Sequence, residues 1–249
     1  MQTIADKLSA IAGNMDTVYY TGYNKGFTMG YDKATYDGAM YYDSFWDTFQ
    51  QNGERKNYEH AFAGKGWYKE NMNPKYDITP SHASNMFLNC EYQGDLRNLP
   101  VKIDFSQSAS MANLLGYCYG ITGIGEVNAS KANNVQSIFT YARVLETVEK
   151  LKLNENGTQE FGDAFKQCYA LKNIIIEGKI GYTVNLQWST MLSRESIESI
   201  INALTDVPVK AGASATFSYD AVGYAFDWDF AGAWSDLIAT KPNWTISIV

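Results

Sequence analysis

The side chains able to do chemistry are few and widely spaced. Cysteines stand at Cys90, Cys118 and Cys168, and the two histidines are His60 and His82. An ionised thiol is a nucleophile or a metal ligand, and zinc sites set cysteines close to histidines or to one another. These cysteines are far apart in sequence, and an odd number cannot all pair within one chain. Asp227 and Asp229 form a close carboxylate pair of the kind used in acid–base catalysis, but on an acidic surface such pairs are usually just solvated. Gly120 to Val127 (GITGIGEV) has closely spaced glycines, yet it lies inside a repeat and reads as turn geometry. No G-x-S-x-G, P-loop or H-E-x-x-H sequence occurs. The residues therefore predict no catalytic, cofactor-binding or metal site, and a chain that binds rather than catalyses.

Composition points the same way. The chain has 249 residues, 45% hydrophobic and only 19% charged, with 18 Tyr, 12 Phe and 6 Trp. Tyrosine combines apolar area with a polar tip and suits contact faces, although such rings also pack cores and their edges. A net charge of −7 and the lack of a basic cluster argue against nucleic acid as a partner and against an anionic membrane surface. No run approaches the roughly 18 apolar residues of a membrane span. The first residues, MQTIADKLSAIAGN, lack a basic start and an unbroken apolar run, so they do not read as a signal peptide. Synthesis in a cytoplasm without general secretory export is the expectation.

The elements that position these residues repeat. An apolar anchor is followed three residues later by Cys, or by Ala142 or Ser189, and then by apolar steps of three. The anchors are Phe62, Phe87, Leu115, Phe139, Phe165 and Leu186, with gaps of 25, 28, 24, 26 and 21 residues. Leucine-rich repeats recur at about 20 to 29 residues. Ala83, Met111, Val135 and Phe161 stand four residues before their anchors, and Tyr58 precedes Phe62 likewise in a degenerate first copy. After Cys90 the apolar pair Leu96 and Leu99 comes late, which predicts a short loop insertion. All three cysteines then share one tight apolar repeat position, a packing role that needs no redox chemistry. VKIDF (101–105), VEKLKL (148–153) and NIIIEGKI (173–180) are the candidate strands.

Residues 1–50 read as an N-terminal helical stalk. Ile4, Leu8, Ile11, Met15 and Val18 are spaced 4, 3, 4 and 3, the seam of a short coiled coil. Tyr19, Tyr23, Phe27 and Tyr31 continue as an aromatic stripe beside Gly22, Gly26 and Gly30. Glycines in register suit close approach of neighbouring helices; a helix ending near Gly22 with a Gly/Tyr-rich loop after it is the alternative. These residues predict self-association or docking. Tyr41, Phe45, Trp46 and Phe49 close the segment and pack on the next domain, and Gly53 stops the helix.

Residues 51–205 hold the repeats and 206–249 a C-terminal cap. In the cap Ser214 to Tyr219 alternates like a strand, and Asp229 to Lys241 reads as a helix with Phe230, Trp234, Leu237 and Ile238 on one face. Pro242 stops it, and Asn243 to Val249 reads as a final strand. Trp234 and Trp244 serve the cap or, alternatively, stack on a ligand.

The pattern Ala164-Phe165…Cys168…Leu171…Ile174 resembles the BspA-like leucine-rich repeat. Ser193 to Leu204 (SRESIESIINAL) is similar to the family's helix, and LIATKPNWTISIV to its helix-then-strand terminator. The opening, Phe45-Trp46…Tyr58…Ala61-Phe62-Ala63-Gly64…Gly66-Trp67…Pro74-Lys75-Tyr76-Asp77-Ile78, is similar to phage- and prophage-encoded members from gut Firmicutes. The resemblance spans about residues 40–249. It implies an α/β leucine-rich-repeat solenoid of about five to six coils. It also implies a non-enzymatic phage virion protein (tail, fibre or decoration) whose repeats bind a host-surface glycan or protein. Its partners would be phage structural proteins and copies of the same chain, a trimer by analogy with phage fibres. A bacterial surface adhesin and a purely structural decoration protein are the alternatives.

Overall fold

The structure, a computed structural model, describes residues 77–90, 94–99 and 102–249. The stalk, with Ile4, Leu8, Ile11, Met15, Val18, Tyr19, Tyr23, Phe27 and Tyr31, lies outside the described residues. So do the copy around Phe62, and His60.

The described residues form a mixed α/β unit built on parallel sheets. Its strands are β1 (Gly94–Asp95), β2 (Ile121–Asn128), β3 (Thr147–Lys152), β4 (Asn173–Glu177), β5 (Val184–Leu186), β6 (Ser214–Phe217) and β7 (Thr245–Ile248). Its helices are α1 (Arg194–Ala203), α2 (Tyr219–Ala225) and α3 (Ala233–Ala239). One sheet has the order β1-β2-β3-β4 and the other β5-β6-β7, so each strand pairs with the next in sequence. Every pairing is parallel.

Strand register stacks like on like. Ile124 pairs with Val148 and Val148 with Ile174, while Val127 pairs with Leu151 and Leu151 with Ile176. All six are buried. Between strands the chain makes a turn that repeats just as strictly. Asn85, Phe87 and Asn89 donate their backbone N–H groups to Ala112, Leu114 and Gly116. Asn113, Leu115 and Tyr117 donate to Gln136, Ile138 and Thr140, and Ser137, Phe139 and Tyr141 to Gly162, Ala164 and Lys166. The intervening amides turn back on their own copy: Cys90, Cys118, Ala142, Cys168 and Ser189 each donate to the anchor three residues earlier. Alternate amides thus serve neighbouring copies, leaving few backbone groups of the turn unpaired in the interior.

Two segments differ from the sequence expectation. GITGIGEV is strand β2, not a turn. Its inward residues Ile121, Ile124 and Val127 are buried, and a Cβ on Gly123 would lie 2.6 Å from a carboxylate oxygen of Asp95. Glycine here admits a neighbouring side chain rather than bending the chain. Of VKIDF, conversely, the described residues 102–105 form no strand. Ile103 makes a single bridge to Ile78, and the Asp104 carboxylate then accepts the Ser106 amide at 2.9 Å. That bond turns Phe105–Gln107 into one 3-10 turn. In NIIIEGKI the strand stops at Glu177, because Gly178 takes φ +95°.

Helix α1 begins at Ser193, whose hydroxyl accepts the Ser196 amide at 3.3 Å. It lies along β4 in place of a fifth strand. Ser196 Oγ accepts the Ile174 amide at 2.9 Å and donates to the Lys172 carbonyl at 3.1 Å. Ser199 Oγ accepts the Ile176 amide at 2.8 Å. Two hydroxyls one turn apart therefore satisfy a strand edge that would otherwise be open to pairing. Ile197, Ile200 and Ile201 are buried on the same helix.

The last segment continues a sheet rather than only closing over it. β5, from the repeat region, pairs with β6, and β6 with β7. Helix α2 was not expected from the sequence, and α3 is shorter than the span Asp229 to Lys241. Trp234 is buried edge-on to Phe217 at 5.7 Å and to Phe226 at 5.6 Å. Trp244 Nε1 donates to the Thr205 carbonyl at 2.7 Å and Lys241 Nζ to that of Leu204 at 2.5 Å. These two donors satisfy carbonyls just past the end of α1.

Candidate functional site

The repeat residues Phe87, Cys90, Leu115, Cys118, Phe139, Phe165, Cys168 and Leu186 are all buried. Phe139 stacks on Phe165 at 5.7 Å, and Phe161 meets Phe165 edge-on at 5.5 Å. The thiols point into the stack. Cys118 Sγ donates to the Phe87 carbonyl at 2.7 Å and Cys168 Sγ to the Phe139 carbonyl at 3.0 Å. Burial pushes the Cys168 thiol up to about 12 and the Cys118 thiol higher still. A thiol so unwilling to ionise is a poor nucleophile and a poor ligand. Among the described residues no three His, Cys, Asp or Glu side chains converge as a metal site would need.

The remaining candidates divide by what already occupies them. His82 is exposed beside the Ser81 hydroxyl. Asp229 accepts the Gly232 amide at 2.9 Å and the Ala233 amide at 3.4 Å, a local loop closure. Asp227 is exposed. On the outer face of the first sheet the charges pair with one another. Arg97 bridges Asp95 and Glu149, Lys150 bridges Glu126 and Glu177, and Lys152 reaches Glu177 at 2.5 Å. The Arg97 guanidinium beside Asp95 holds its carboxyl below the usual range, and Lys152 does the same to Glu177. Near the end of the chain Tyr219, Tyr224, Phe230 and Trp228 pack on each other at 5.3 to 6.1 Å. Trp228 also closes α2, its amide donating to the Gly223 carbonyl at 2.8 Å.

One surface feature is built by the repeat itself. Two residues after each anchor, the stacked turns carry Asn89, Tyr117, Tyr141 and Gln167; four residues after, they carry Tyr119, Arg143 and Tyr169. Tyr117 and Tyr141 stack face to face, with centroids 4.7 Å apart and planes 6° from parallel. The Arg143 guanidinium lies 5.7 Å from the Tyr119 ring centroid and 5.8 Å from that of Tyr141. Its Nη2 donates to Gln167 Oε1 at 2.9 Å. Tyr117, Tyr119 and Tyr169 are each more than 40% exposed, so the strip is presented outward.

The backbone under this strip is left-handed, as it also is two residues before each anchor at Asn85, Asn113, Ser137 and Asp163. Asn89, Tyr117, Tyr141 and Gln167 all sit at φ between 56° and 59°. That left-handed region suits Gly and Asn and costs other residues about 1–2 kcal/mol each. A ring–ring contact returns about 0.5–1.5 kcal/mol. The tyrosines are therefore not what the turn itself prefers. Composition gives no pointer to this strip, and the apolar periodicity does not include its polar columns, which fall into line only once the turns are stacked.

No family model matches the chain, and neither a curated protein nor a solved structure similar to it is found. No helix of the described residues is long and apolar enough to cross a membrane.

Proposed function

We propose that the chain is a non-enzymatic binding protein, and that its repeats form a leucine-rich-repeat solenoid of the BspA-like type. In this reading an N-terminal helical stalk carries the repeats, and the chain is a phage virion component (tail, fibre or decoration) that meets a host-surface ligand. The stacked turns and the parallel strands in sequential order support the repeat reading. The observation that carries the binding role is Tyr117 and Tyr141. Both hold a left-handed backbone that Asn or Gly would adopt at lower cost, and both present part of a ring to solvent. Strain retained where a residue is exposed points to use of that residue.

The test is attachment of the purified full chain to host cells, with recovery of the protein from purified particles alongside. Binding that is lost in the double variant Tyr117→Asn, Tyr141→Asn supports the reading. Recovery from cell envelopes, and none from particles, would make it a surface adhesin instead. Recovery from particles without cell binding would leave decoration as its role.

A further inference from the structure

We infer that the ligand of the tyrosine strip is an anionic saccharide, its acidic group held by Arg143 and its ring set on the neighbouring tyrosines. This rests on the binding role proposed above and names the chemistry of its ligand.

The charge argument starts from the arginines. Of those described, Arg97 pairs with Asp95 and Glu149, and Arg194 with Glu198. Arg143 makes no ion pair among the described residues; its partners are the neutral Gln167 amide and the faces of Tyr119 and Tyr141. Lys150, Lys152, Lys166 and Lys172 each have a carboxylate close by, while Lys131 bonds the Gln107 amide and Lys179 the Asn202 carbonyl. Among the described cations without an ion pair, Arg143 is the one set against the faces of Tyr119 and Tyr141. A guanidinium offers five donors in a planar fork. Gln167 takes one, and the exposed side chain keeps others for solvent or a ligand. The two rings and the amide hold the fork in place without neutralising it, which is the preorganisation an anion needs.

The shape argument comes from the rings. The exposed rings of the strip belong to Tyr117, Tyr119 and Tyr169. Each offers a flat apolar face and a hydroxyl at one place. The C–H face of a sugar ring needs the first, and its hydroxyl groups the second. Because Tyr119, Arg143 and Tyr169 occupy the same position in successive copies, ring and cation alternate along the strip. A saccharide with acidic and neutral units in sequence fits that alternation.

The experiment uses the full chain on immobilised glycans in matched pairs, one member carrying carboxylate or sulfate and the other its ester or unsulfated form. Wild-type, Arg143→Gln and Arg143→Lys are compared across a sodium chloride series, with thermal melts to verify folding. The expected result is a preference for acidic members of at least about tenfold, the size of one charge-assisted hydrogen bond. It should shrink with added salt, vanish in Arg143→Gln and persist in part in Arg143→Lys. Equal binding of both members, or an unchanged preference in Arg143→Gln, overturns the inference and leaves the binding role standing. Binding to host cells but to no glycan also overturns it and points to a protein ligand. Failure to bind cells or glycans at all counts against the binding role itself.

Discussion

The thiol of Cys118 donates to the carbonyl of Phe87 at 2.7 Å, across the boundary between two copies of the repeat. Cys168 repeats the relationship with Phe139 at 3.0 Å. The cysteine position is thus a weak polar tie inside an apolar stack, and its chemistry follows from that burial.

Burial keeps both thiols protonated in the folded chain, Cys168 to about 12 against an ordinary value of 9.0. A raised folded value means the stabilising contribution is complete below the unfolded value and is lost as pH rises through the window above it. Stability should therefore hold up to about pH 9 and fall between there and about 12, by up to about 1.4 kcal/mol per pH unit for each thiol. Chemical melts at stepped pH check this: Cys118→Ala, Cys168→Ala should show a shallower alkaline decline than wild-type. A thiol reagent should leave Cys118 and Cys168 unmodified in the native protein and label them in denaturant.

Ser189 occupies the cysteine position of the last copy and is buried, but its Oγ has no hydrogen-bond partner among the described residues. An unsatisfied buried hydroxyl costs about 1–3 kcal/mol. Ser189→Ala should raise Tm by several degrees, given that about 1 kcal/mol moves a domain of this size by about 2–4 °C. A lowered Tm in differential scanning fluorimetry would show that the hydroxyl is needed.

Ser196→Ala should do the opposite. It removes the acceptor of the Ile174 amide and leaves a buried strand-edge N–H without a partner, at a cost of about 1–3 kcal/mol. Glu198→Ala, on the same helix, breaks only an exposed pair with Arg194, and its effect should stay below about 0.5 kcal/mol. Urea melts of the two variants side by side provide the comparison.

Stability and binding should part company at the strip. Tyr117→Asn, Tyr141→Asn relieves the left-handed backbone strain and loses the ring stack. Two relieved positions at about 1–2 kcal/mol each outweigh one lost ring pair at about 0.5–1.5 kcal/mol, so Tm should hold or rise by several degrees. Attachment to host cells should nevertheless be lost. A large fall in Tm would instead make the tyrosines structural.

Much of the fold was legible because burial enforces spacing. Phe87, Leu115, Phe139 and Phe165 recur at a near-constant interval since each must land on the one before. Thr147–Lys152 and Asn173–Glu177 were visible as strands for the same reason. β2 was hidden by Gly123, whose role depends on Asp95, a residue far away in sequence. VKIDF looked like a strand until the Asp104 carboxylate captured a local amide. Helix α2 was missed because Gly223 breaks its apolar pattern, and that glycine is set by the Trp228 ring packed against it. The strip was illegible for a different reason: its signal lies in polar residues whose alignment matters only after the turns are stacked.

The serine-bearing helix α1 has an evolutionary consequence. Because it satisfies the edge of β4 by itself, it works as a terminator that any strand of the same register could precede. Duplication of one copy upstream of Asn173 would add a rung to the sheet and a turn to the strip, with no new edge to protect. Growth in number of copies is available to this chain through a single in-frame genetic event.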